Sequence, residues 1–143
     1  IKKAILNHNR KEIEKGLNPK ELLHSKIIRD ADKIDIMNLV VNLGEIKLSD
    51  DNLGVSKKVD ESFRNHLCIS HKDKLARNDS IIMMLAFVFD LNFDYSYRYY
   101  KDNNYIDLFY SKLKNKDIFS EYIEIANGYI EGKCNNVRTK IYS

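Results

Sequence analysis

The chain has 143 residues, 43% hydrophobic and 31% charged, a formal net charge of +3 and a pI near 8.7. That length and balance fit one globular unit with a sizeable core. Lys and Arg alternate with Asp and Glu instead of forming blocks, which argues against a nucleic-acid partner. The longest apolar run, Ile81 to Phe89, falls well short of the ~20 residues that span a bilayer, so no membrane association is expected. Cys68 and Cys134 stand far apart, with neither CxxC nor CxxH spacing, and read as ordinary thiols of a reducing cytoplasm.

Helical signals dominate the chain, and strand signals are nearly absent. The segment "IKKAILNHN" reads as a helix ending near His8 or Asn9. It begins at Ile1 with no Met, and the expectation is of a piece whose upstream part is missing. A short amphipathic turn, "KEIEKG", closes at Gly16. Asn18 as N-cap and Pro19 at the first helical position then start a long helix, predicted to run to about Leu43 before Gly44.

From Gly44 to Gly54, "GEIKLSDDNLG" is a polar loop. It fails as a calcium loop, because no alignment gives both the Gly at the sixth position and oxygen ligands where they belong. Val55, Val59, Phe63 and Leu67 recur every four residues and predict a helix with one apolar face. "RNDS" precedes the run from Ile81 to Phe89, which is apolar all round and predicts a buried central helix. Two or three more helices are expected around Tyr95 to Tyr100, Tyr105 to Lys112 and Asp117 to Ile130.

The long helix poses the chemical question. On a helical wheel, Asp35 falls in the arc of Ile28, Ala31, Ile34 and Leu39, with Asp32 at its edge, while Arg29, Asp30 and Lys33 point towards water. A buried carboxylate is costly unless paired, hydrogen-bonded or bound to a cation. Asp32 therefore reads either as a salt-bridging residue or as a metal ligand, with His8 of "NHN" the nearest candidate partner. His24 lies about 12 Å from Asp32 along the helix axis and cannot share an ion with it.

"AILNHN" followed by "ELLHSKIIRDADKIDIM" resembles the HD-domain metal-dependent phosphohydrolase superfamily, in particular the second half of small bacterial members. The resemblance implies an all-α, HD-domain-like helical bundle, with residues 1–43 as late HD-domain helices and 44–143 as a C-terminal helical extension of the same unit. It implies hydrolysis of a phosphate ester of a nucleotide or small phosphorylated metabolite, with a divalent metal such as Mn, Mg, Fe, Ni or Zn. By the same resemblance Asp32 matches the ligand that closes the metal set. His8 matches a residue that ligates metal or acts at the leaving phosphate, and Asp35 is a supporting catalytic group.

The chain has no adjacent His-Asp pair, the dyad that names the family. The expectation is that a missing N-terminal portion carries it and partners this chain, which alone is inactive. The alternative is a non-catalytic helical interaction module with a degenerate HD fold. Phosphate also needs cations, and His71, Lys74 and Arg77 of "SHKDKLARND" are candidates to contact it.

Overall fold

Helix α1, Lys2–Asn7, packs on α2, Pro19–Val41, in a computed structural model that describes residues 1–7 and 12–142. Five more helices follow: α3 Lys57–Arg64, α4 Asp79–Leu85, α5 Asp94–Asp102, α6 Tyr105–Ser111 and α7 Lys116–Tyr142. Among the described residues the protein is all-α, without strands. None of its described helices is long and apolar enough to cross a membrane.

The start of α2 is written in its first residues. Asn18 Oδ1 accepts from the Glu21 amide at 2.8 Å, and Glu21 Oε1 accepts from the Asn18 amide at 3.4 Å, closing a capping box with Pro19 behind it. The helix ends at Val41, two residues before the expected Leu43, and Gly44 turns the chain with a φ of 63°. Only glycine takes that conformation without strain.

The C-terminal half of α2 buries Met37, Val40 and Val41 against Val59 and Phe63 of α3, Ile81, Ile82 and Leu85 of α4, and the α5 to α7 helices. At the centre Phe63 meets Phe89 and Tyr122 edge-on, with ring centroids 4.9 and 5.3 Å away. The last helix, α7, lies along α4, α5 and α6 and runs on to Tyr142, well past the expected Ile130.

Two expectations change here. The helix expected to carry Val55 through Leu67 spans only Lys57–Arg64, because His66 takes a φ of 58° and turns the chain. Leu67 is left 54% exposed instead of joining the core. The run Ile81 to Phe89 is not one helix: α4 stops at Leu85 and residues Ala86–Asp90 tighten into a 3-10 turn. Met83, Met84 and Phe87 are half-buried, so one side of this run borders open space.

Carboxylates tie the loops to this frame. Asp79 accepts from the amides of Ser56, Leu75 and Ala76 and from Ser56 Oγ. Asp50, in the 44–54 loop, accepts from the amides of Lys114 and Asn115 and from Asn115 Nδ2, pinning the link between α6 and α7. The buried Asn78 gives its side chain to the same loop, donating to the Asp51 and Gly54 carbonyls. These bonds fix the approach to α4, and with it one border of the cleft described next.

Candidate functional site

The inward face of α2 is not the one its isoleucines suggest. Ser25, Arg29 and Lys33 are buried in line with Met37, one turn apart, and Asp30 is buried beside them. This places the inward face roughly 140° from Ile28 on the wheel, at the angle of Lys33. Ile27 is 49% exposed, and Asp35, expected within the buried arc, is exposed.

Burial of so many charges is tolerable because each has a defined partner. Asp30 sits at the N-terminus of α5, accepting from the Asn92 and Phe93 amides, Asn92 Nδ2 and Ser96 Oγ. It is not the surface charge that the wheel predicts. It holds the first turn of α5 much as an N-cap would, from another helix. Burial first, then the neighbouring Tyr105 and Asp30, push the Tyr100 phenol above its ordinary range.

Arg29 and Lys33 converge on Asp90, the last residue of the 3-10 turn. Asp90 Oδ2 accepts from Arg29 at 2.5 Å and from Lys33 Nζ at 3.1 Å. The Arg29 and Lys33 side chains are only 2% and 8% exposed. Lys33 Nζ also lies 5.9 Å from the centroid of the Phe87 ring, a cation–π contact.

These groups border a cleft of about 550 Å³, within the usual size range of small-molecule sites. Asp32, one turn from Arg29 along α2, lines it half-buried and makes no hydrogen bond or ion pair among the described residues. His71 opens the short 3-10 turn after α3 and Lys74 follows that turn, with Lys74 Nζ reaching Ser80 Oγ at 3.5 Å. Ile36, Ile46, Ile69, Met83, Met84 and Phe87 supply apolar lining. Three cationic side chains, Arg29, Lys33 and Lys74, and the His71 ring stand against the carboxylates of Asp32 and Asp90. Such a surplus of cationic donors in a concavity suits an anion with several acceptor oxygens.

Of the residues singled out in the sequence, Asp32, His71 and Lys74 therefore share one cleft. Arg77 does not line it: its side chain is 62% exposed and turned to Ser49 Oγ and Asp51. Asp35 also lies off the cleft, on the side of α2 towards Tyr105 of α6. Burial, then Tyr99, then the Asp35 charge push the Tyr105 phenol up to about 12. His8 lies outside the described residues. Arg29, Lys33 and Asp90 were not foreseen. Their signal was the four-residue spacing that carries Met37 back through Lys33 and Arg29 to Ser25.

The metal implied by the HD resemblance finds no complete site here. No three His, Cys, Asp or Glu side chains stand together to hold an ion among the described residues. Asp90, the second carboxylate of the cleft, is engaged by Arg29 and Lys33. Asp32 alone does not fit a metal, which needs about three protein ligands.

No protein-family model, no curated protein and no solved structure matches this chain.

Proposed function

We propose that this cleft binds a small phosphorylated metabolite by its phosphate, as part of a phosphate-ester hydrolase of the HD type. The observation that carries the reading is the convergence of Arg29, Lys33, Lys74 and His71 on one concavity. What the described side chains supply is capture and orientation of the phosphate. Lys74 offers a point charge and His71 a further donor, while Arg29 and Lys33, held by Asp90, add positive potential to the same lining. Asp32, the residue of "IIRDADKID" that matches the HD ligand, lines the same cleft, where the described side chains do not complete a metal set.

Titration calorimetry with inorganic phosphate and a phosphomonoester tests the binding step. Lys33→Gln and Lys74→Gln are each expected to weaken binding about tenfold, the worth of one charge-assisted hydrogen bond. Equal affinity in wild type and both variants would overturn the reading. The hydrolase assignment has its own test in the divalent metal content of the protein, which Asp32→Ala is expected to lower; equal content in both sinks Asp32 as a ligand.

One observation favours the interaction-module reading as a second possibility. Ile1, Ile5 and Leu6 of the first segment and Leu23 and Ile27 of α2 are each about half exposed or more, on two helices that pack together. Concentration-dependent association in sedimentation velocity, abolished by Ile5→Lys with Ile27→Lys, is the expected outcome under that reading. A monomer at all concentrations, with no partner retained, removes it.

A further inference from the structure

The cleft carries more apolar surface than phosphate capture requires. Ile36, Ile46, Met83, Met84 and Phe87 all line it and are only half-buried, so the folded chain leaves hydrophobic area open beside its cations. Covering such area with an apolar group is favourable in proportion to the surface removed from water. Adjacent methionines at the end of α4 add a wall that adapts to irregular shapes.

Among the described residues, the neutral polar groups of the lining are the hydroxyls of Ser70 and Ser80. The Ser80 hydroxyl already meets Lys74. Sugar hydroxyls placed here would find their partners at the charged end, in Asp32, His71 and Lys74, and none among the apolar side chains that line the rest. Asp32 opposes negative charge in the cleft, and opposes a chain of several phosphates more than a single phosphoryl group.

We propose that the ligand of this cleft is a phosphomonoester with an apolar body, an alkyl or aryl phosphate, in preference to a sugar phosphate or nucleotide. The inference rests on the phosphate reading above. The cations hold the head, and Met83, Met84, Phe87, Ile36 and Ile46 cover the body.

Titration calorimetry with octyl phosphate below its micelle threshold, ribose 5-phosphate and inorganic phosphate tests it. Octyl phosphate is expected to bind at least about tenfold more tightly than the other two, since burial of two methylenes suffices for that ratio. Met84→Ser is expected to weaken octyl phosphate several-fold and leave ribose 5-phosphate unchanged, whereas Lys33→Gln weakens all three. Equal affinity for the three phosphates overturns the apolar body and leaves the phosphate reading standing. Octanol binding as tightly as octyl phosphate overturns both, as does the absence of binding by every phosphate. A phospholipid head group carries the same chemistry: cosedimentation with phosphatidic acid vesicles, without uptake of octyl phosphate, would overturn the soluble ligand proposed here.

Discussion

Replacing Asp90 by Asn removes the carboxylate that two buried cations share. Breaking a buried ion pair by deleting one partner costs about 3–5 kcal/mol, because the charge left behind is uncompensated. The Asp90 side chain is 27% exposed, so water offsets part of that loss and the lower end applies, about 3 kcal/mol. For a chain of this size each kcal/mol moves the midpoint by roughly 3–4 °C, so the thermal transition is expected to fall by about 10 °C. Circular dichroism melts in a phosphate-free buffer measure this directly. The same variant has a second signature, because the carboxylate occupies donors that an incoming phosphate would use. Added phosphate is therefore expected to stabilise Asp90→Asn more than wild type, recovering part of the lost stability by binding only the folded state. A variant as stable as wild type would refute the ion-pair account. An equal phosphate effect in the two proteins would refute the claim that Asp90 and phosphate compete for Arg29 and Lys33.

Asp30→Ala strips the N-terminus of α5 of a carboxylate that takes four donors, and urea unfolding is expected to show a loss of about 3 kcal/mol, with Asp30→Asn losing less. Acid sensitivity follows from Asp79: burial raises its carboxyl, but hydrogen bonds from Ala76, Ser56 and Leu75 outweigh burial and hold it below the usual range. A depressed folded pKa contributes stability that is full above the unfolded value of about 3.9 and is lost as pH falls through the folded value. The unfolding free energy is thus expected to drop below about pH 4, and Asp79→Asn to flatten that limb; an unchanged limb contradicts it. Phe63→Ala opens a cavity under Phe89 and Tyr122 and is expected to cost about 4 kcal/mol in the same urea assay.

Where structure is decided within a few residues, the sequence could be read directly. The Asn18 to Glu21 box and Pro19 give the start of α2, and Gly44 marks its end, because caps and left-handed turns depend on local chemistry. The all-helical class follows from the same signals. Hydrophobicity ranks Ile27 and Ile28 above Arg29 and Lys33, and Asp90, 61 residues from Arg29, reverses that ranking. The 3-10 turn was missed for a related reason. An apolar run does not show that its final Asp must reach back to α2, a demand met where α4 gives way to the tighter turn. Asp32, His71 and Lys74 could be picked out by residue type, while their meeting in one cleft depends on how the 68–74 segment packs beside α2.

The segment from Arg29 to Lys33 puts four charged residues on little more than one turn of helix, and their treatment differs. Asp30 is saturated by donors at the start of α5, and Arg29 and Lys33 are held by Asp90. Asp32, half-buried between them in sequence, makes no such bond among the described residues, and neither does the side chain of His71. Folding normally satisfies the polar groups it withdraws from water, and the half-buried Asp32 departs from that rule. Asp32, the exposed His71 and Lys74 border a single concavity that the buried Arg29 and Lys33 also line. A helix built only for stability would place hydrophobic residues at positions 29 and 33, where they would pack without an ion pair to desolvate. Keeping Arg and Lys there makes physical sense when the cleft they border must hold negative charge.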